Sequence, residues 1–292
     1  MKLFVLCIAL CQVLWASGHV LPEFEPISLN YHEAEGIPAA ERIKRIEEAV
    51  DFDGTRIAGG STARLGDHPF LAGLLVLLQN RRTSVCGSSI LTNTRLVTAA
   101  HCWWDGTNQG TEITAVFGSV TLFSGGTRVT TRTIAMHGSF NTRNLNNDIA
   151  IITVPRINFN NNIQRIAIPN SSQSFLSFVG SWAQCAGFGV TRDSENINNN
   201  QVLRQVNLQV VNNIDCSTVY GFNIIDSTLC TSGRGNVGPC GGDSGGPVSL
   251  VHSGQRILIG VVSFHSANGC NIGFPGGHAR VTSFRSWINA RI

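Results

Sequence analysis

Lysine is almost missing from these 292 residues: Lys2 and Lys44 are the only two, and none follows Lys44. Tyrosine and methionine are equally scarce, at two residues each. Charged residues of all kinds reach only 13%, where about 25% is usual for a soluble domain, which excludes a charge-rich disordered chain. The formal balance of +3, from 21 basic and 18 acidic residues, is too small to argue for nucleic acid or an anionic membrane as partner. No G-X-Y period, sustained heptad or series of membrane-length apolar segments occurs, which excludes collagen, a coiled coil and a polytopic membrane protein.

What is present suits a turn-rich globular protein: 42% hydrophobic residues, 31 glycines, 9 prolines and 9 cysteines, enough to bury one large core or two coupled ones. Three segments differ in texture. Met1-Lys2 precedes an apolar run from Leu3 to Leu14 and the small residues Ala16, Ser17 and Gly18, the pattern of a secretory signal peptide (residues 1–16, or 1–18 if the cut follows Gly18). Residues 17–56 carry nine acidic and four basic side chains, and Ile43, Ile46 and Val50 share one face of a helix expected over Ile37 to Val50. Residues 57–292 carry sixteen arginines, no lysine and nine acids. An acidic leader on a basic body fits a propeptide held partly by charge and fits an acidic solubility tail equally well.

The body reads as short apolar or alternating runs, among them Phe70 to Leu78, Leu96 to Thr98, Ile113 to Phe117, Val129 to Met136, Trp182 to Gly187, Val202 to Val211 and Ile257 to Phe264. Many short strands between Gly, Asn and Ser turns predict an all-β sandwich or barrel, and two stacked barrels suit the length. Only Thr282 to Ile292 has helical spacing, through Phe284, Trp287 and Ile288, with Thr282 or Ser283 as N-cap.

Three motifs stand far apart: Leu96-Val-Thr-Ala-Ala-His101-Cys102, Asn147-Asp148-Ile-Ala-Ile-Ile and Cys240-Gly-Gly-Asp-Ser244-Gly-Gly-Pro247. Singly each has a dull explanation; in this order they resemble the chymotrypsin family of serine endopeptidases from Ile57 to the C-terminal helix, and insect digestive zymogens within it. The resemblance implies two six-stranded antiparallel β-barrels, the active site in the cleft between them, and a C-terminal α-helix. It implies Ser244 as nucleophile, His101 as general base and then acid, and Asp148 as the carboxylate orienting the imidazole. The N–H groups of Gly242 and Ser244 would form the oxyanion hole.

Arg56 followed by Ile57-Ala-Gly-Gly resembles the activation site of such zymogens, cut by a trypsin-like protease so that the new Ile57 amine pairs with Asp243. Residues 17–56 would then be the activation propeptide and 57–292 the protease domain. Family spacing pairs Cys86 with Cys102, Cys216 with Cys230 and Cys240 with Cys270; Cys185 is left over, expected as a buried inert thiol. No metal-ligand cluster or cofactor motif is found, and Glu112 stands nearly alone where some relatives hold calcium. Asn170-Ser-Ser is a glycosylation sequon.

By the same resemblance Gly238 forms the floor of the primary specificity pocket, with no carboxylate to meet Lys or Arg, and Ser263, His265 and Gly276 belong to its walls. Gly276 and Gly277 leave one wall open to a large ring, while His265 narrows the mouth. The expectation is cleavage after large apolar or aromatic residues; elastase-like or collagenase-like specificity is the alternative, and a non-catalytic secreted binding module a third. The implied partners are protein or peptide substrates, the activating protease and protein inhibitors of proteases, with no nucleic acid, no membrane and a monomeric state. Missing lysine and a single body tyrosine, Tyr220, remove groups that titrate near pH 10, which points to a secreted enzyme of an alkaline gut lumen; codon bias is the bland alternative.

Overall fold

The computed structural model describes residues 24–49, 61–189 and 203–292. The expected signal peptide, Arg56 and Ile57 lie outside the described residues. A two-residue strand β1 (Ser61–Thr62) is followed by β2 (Leu71–Leu78), β3 (Thr83–Thr92), β4 (Arg95–Thr98), β5 (Gly110–Phe117), β6 (Thr127–Thr131), β7 (Thr133–Met136) and β8 (Ala150–Thr153). Strands β2 to β8 form one antiparallel sheet in the order β6-β5-β2-β3-β4-β8-β7. Its two edge strands are consecutive in the chain, separated by Arg132 alone, so the sheet curls into a half-barrel whose edges approach at that residue. Arg132 is exposed and its guanidinium lies 2.9 Å from Glu112, which explains why the apolar run Val129 to Met136 breaks there.

The second sheet contains β9 (Trp182–Gly187), β10 (Arg204–Val211), β11 (Thr228–Thr231), β12 (Pro247–His252), β13 (Gln255–Phe264) and β14 (Gly276–Arg280), with β1 added to β10. Pairing of β9 with both β10 and β12 closes these six strands into a barrel. Closure leaves the ring without a free edge strand.

Leu74, Val76, Leu78, Cys86, Ile90, Leu96, Ile113 and Phe117 form the interior of the first sheet. The run Leu-Ala-Gly-Leu-Leu-Val-Leu-Leu of β2 does not alternate because most of it is buried on both faces. Its outer face is covered in part by the acidic leader: helix α1 (Ile37–Ala49), entered through a wider π-type turn at His32–Gly36, packs Ala39, Ala40 and Ile43 with Leu71, Val85, Leu122 and Phe188.

Helix α2 (Asn213–Tyr220) had no apolar stripe by which to be read from sequence. Its N-terminus is capped by the Asn212 side chain, which accepts from the Asp215 N–H, and Cys216 ties it to β11. Helix α3 (Val281–Asn289) buries Phe284 and Ile288. It begins directly from β14, so Arg280 rather than Thr282 or Ser283 stands at the N-cap, and no side chain caps it.

Candidate active site

His101 lies in a single 3₁₀ turn, Ala100–Cys102, after β4. A disulfide from Cys102 to Cys86 fastens that turn to β3. Asp148 stands just before β8, and Ser244 on the loop between β11 and β12, so the first two come from the curled sheet and the third from the barrel. His101 and Ser244, more than 140 positions apart, thus line one cleft together with Ser263 and His265, and Asp148 is buried against His101.

Asp148 is 1% exposed and accepts three hydrogen bonds: from the His101 backbone N–H at 2.9 Å, His101 Nδ1 at 2.6 Å and Ser263 Oγ at 2.6 Å. A carboxylate only accepts, so Nδ1 carries the proton and neutral His101 presents Nε2 as an acceptor. Burial works against a charged His101, but the adjacent Asp148 carboxylate outweighs it together with Glu35 and Asp105, and holds the imidazole above its ordinary pKa. Such a ring is ready to take a proton from a hydroxyl and keep it. Ser263, expected in the pocket wall, sends its hydroxyl to Asp148.

Asp243 accepts from the N–H groups of Gly189 at 2.7 Å and Cys240 at 3.0 Å. Burial, only partly offset by these donors, pushes its carboxyl up to about 6. Gly187 and Gly189 cradle it so closely that a Cβ on either would lie within 2.1 Å and 2.4 Å of carboxylate atoms. The sequence held a signal for this cradle, the Gly-Phe-Gly after Cys185, but not its target. Gly242 has φ +101°, a conformation glycine adopts at little cost, and its N–H points into the cleft.

Gly238 borders a cavity of about 480 Å³ with Pro239, Val206, Cys185 and Asp243. Gly276 packs against Thr231 and Pro239, and the space beside Gly277, expected to admit a substrate ring, is filled by the ring of Phe264. His278 is buried with Nε2 2.8 Å from Thr231 Oγ1, and burial lowers its pKa to about 3, so it is neutral. His265 directs Nδ1 to the Ser266 carbonyl at 2.8 Å and Nε2 to Glu35 at 3.1 Å. Disulfides join Cys216 to Cys230 and Cys240 to Cys270, and Cys185 is a buried free thiol that burial raises in pKa. Among the described residues the one grouping with metal-ligand geometry is Cys86, His101 and Cys102, and its two sulfurs are consumed by their disulfide.

Three residues of the site gave no sign in the sequence. Tyr31 lies with its ring 4.6 Å from that of His101, Glu35 sits between His265 and Gly241, and His32 is fully buried with Nδ1 2.8 Å from Ser84 Oγ. All three belong to the acidic leader, and their only sequence trace was that Tyr31 is one of two tyrosines.

A buried imidazole held by a carboxylate at a seam between two β-sheets, with a serine on the facing loop, defines a serine hydrolase class of site. The chain belongs to the trypsin family of serine proteases: residues 57–288 match the Trypsin family model. It is 37% identical over 235 residues to a collagenase of Hypoderma lineatum, covering 80% of this chain and 86% of that one. Serine protease 1 of Drosophila melanogaster is 35% identical over 235 residues (80% and 84% covered), and an alkaline trypsin C of Manduca sexta 36% over 252 (82% and 93%). A solved structure of HL collagenase superposes with a TM-score of 0.73 at 35% identity, over 81% of this chain and 99% of that one. The chain is therefore a serine endopeptidase acting on protein or peptide substrates. No helix among the described residues is long and apolar enough to cross a membrane.

Proposed function

We propose that the chain is a secreted zymogen, activated by a cut after Arg56, that hydrolyses peptide bonds with Ser244 as nucleophile, His101 as general base and acid, and Asp148 as the orienting carboxylate. The observation that carries the reading is the buried 2.6 Å contact between His101 Nδ1 and Asp148, which leaves Nε2 aimed into the cleft that Ser244 also lines. Nε2 would take the Ser244 proton as Oγ attacks the scissile carbonyl and return it to the leaving amine; the N–H groups of Gly242 and Ser244 would receive the negative charge on the carbonyl oxygen. Freed Ile57 amine would pair with Asp243, whose carboxylate sits one residue from Ser244 and borders a cavity.

Large apolar or aromatic residues are the proposed preference, supported by the absence of any acid at Gly238. Collagenase-like or elastase-like specificity is the second reading, favoured by the collagenase relative and by His265 at the mouth. An alkaline digestive setting has support from the lysine-free body and from two relatives named alkaline trypsins. The test is a fluorophosphonate probe with N-terminal sequencing of the cut protein. Labelling of Ser244 in a chain starting at Ile57 and freed of residues 24–49 supports the proposal, and an unlabelled Ser244 in that freed body favours a binding module. Peptide substrates varied at the residue before the cut decide specificity, with Ala or Val preferred over Phe, Tyr or Leu overturning the first choice.

A further inference from the structure

We infer that residues 24–49 are a cleft-filling inhibitor in their own right, so that a cut after Arg56 completes activation only once the segment departs, and the segment, as a separate peptide, binds the opened enzyme. The inference rests on the proposed cut and on Ser244 as nucleophile.

The segment enters as an added strand. Ser28 N–H donates to the His265 carbonyl at 3.0 Å and Ala267 N–H to the Pro26 carbonyl at 2.8 Å, bridging Ile27 to Ser266 in antiparallel fashion just beyond β13. Backbone pairing of this kind is a general mode of peptide capture. The strand then stops short of the serine. Asn30 takes the left-handed conformation, φ 54°, and the chain turns into the π-type turn and α1.

Tyr31, at the turn, goes into the cleft. Its hydroxyl donates to the Val85 carbonyl at 2.7 Å and accepts the Gly242 N–H at 3.2 Å, in the cleft that Ser244 also lines. The Gly242 donor therefore meets a phenol oxygen rather than a peptide carbonyl, so no acyl carbon stands there to be attacked. With the ring tilted over His101, Nε2 of that residue has no hydrogen-bond partner among the described residues. Burial pushes the phenol well above its usual pKa, so it remains a donor in alkaline solution.

Further anchors run along the segment. Glu35 accepts from Ser28 Oγ and faces His265, filling the approach above Gly241, and a Cβ on Gly241 would lie 3.1 Å from that of Glu35. His32 N–H donates to Asp105 at 2.9 Å. Ile37, Ala39, Ala40, Ile43 and Ile46 are buried, and the Glu47 carboxylate receives the N–H groups of Leu122, Phe123 and Ser124 at 2.6 to 2.9 Å. Arg82 binds Glu33 and Glu41 at the surface, where charge adds little affinity. Every one of these contacts precedes residue 50, whereas the cut falls at Arg56. Cleavage removes none of them and only ends the tether that keeps the segment at high effective concentration.

The test uses the full chain with Arg42→Gln, Lys44→Gln and Arg45→Gln, exposed or half-buried positions changed so that Arg56 is the one site left within the leader for a trypsin-like protease. After the cut, the segment should co-elute with the body on gel filtration, and hydrolysis of a small peptide ester should stay about 100-fold below that of the same chain bearing Tyr31→Ala or Glu47→Ala, the loss expected when a buried aromatic anchor, or a carboxylate that holds three backbone donors, goes. Synthetic peptide 24–49 should inhibit the opened variants competitively, and the Tyr31→Ala peptide at least about tenfold more weakly. Shedding of the wild-type segment on cutting, with full turnover, overturns the inference, as does no inhibition at about 1 mM peptide, the effective concentration of a short flexible tether. If the opened variants neither turn over nor take a fluorophosphonate, the nucleophile assignment fails, while co-elution still decides the plug.

Discussion

Replacing Gly187 by alanine adds one methyl group behind the loop that carries Asp243 and Ser244. No positive φ is needed at this β9 position, so the substitution is disfavoured by space alone. The new Cβ would lie 2.1 Å from Asp243 Oδ1, 3.0 Å from its Cγ and 3.3 Å from its Cα. Comfortable contact is more than about 1 Å longer, and the Asp243 backbone behind the carboxylate blocks simple retreat. Overpacking of this size costs about 1–3 kcal/mol. In a body of this length each kcal/mol lowers Tm by about 2–4 °C. Urea unfolding of the uncut chain measures it, with Gly138→Ala, whose Cβ would meet nothing within 4 Å, as the neutral control. Because the clash is with one carboxylate, Asp243→Ala should relieve it, and the double-mutant cycle should show coupling of at least about 1 kcal/mol. Additive costs in that cycle, or a Gly187→Ala chain as stable as Gly138→Ala, would refute the reasoning.

Asp148→Asn should lower kcat of the opened enzyme by about 10³–10⁴-fold, because an amide no longer stabilises the protonated ring; ester hydrolysis at pH 8 checks it, and a loss under tenfold would count against the assigned role. Acid should release the leader. His32 is lowered to about 4 by burial, despite Asp105, so the docked form favours its neutral state and loses stability as pH falls from 6.5 to 4. Burial opposes ionised Glu35, but His265, Ser28 and His101 prevail and hold it below the usual range, so its contribution is lost as pH falls through that lowered value. His101, raised in part by Glu35, acts in the opposite sense, its contribution fading as pH rises above 6.5. Co-elution of the cut chain at pH 7 and pH 4 tests the net sign, and equal retention at both would contradict it. Cys185, buried with a raised pKa, should resist iodoacetamide at pH 8 in the native chain and react after unfolding; native labelling at the rate of a free thiol would refute its burial.

The strands were legible where both the apolar run and its boundaries were local. Trp182 to Gly187 is a strand with those limits, and most others differ by one to four residues. β11 carries no sequence signal because Thr228–Thr231 holds a single aliphatic residue and so no apolar run, and α2 carries none because an Asn cap and a disulfide stabilise it in place of an apolar face. In the pocket, glycine said only that no side chain was there. Whether the vacated space is open depends on neighbours far away in sequence, and beside Gly277 it holds Phe264.

By itself the sequence determined the family, the three motifs and the acidic texture of the leader, since each is written in short runs whose chemistry does not depend on where the chain goes next. Only the tertiary structure decided what the leader does. Its charge suggested electrostatic docking, yet its buried residues include Tyr31, Ile37, Ile43 and Ile46, and it is a phenol ring that lies 4.6 Å from the ring of His101. That outcome needed the curled sheet, the barrel and the helix to place Val85, Gly242 and His101 around one oxygen and one ring. Complementarity of that kind is a property of surfaces assembled from distant segments, and no local pattern encodes it.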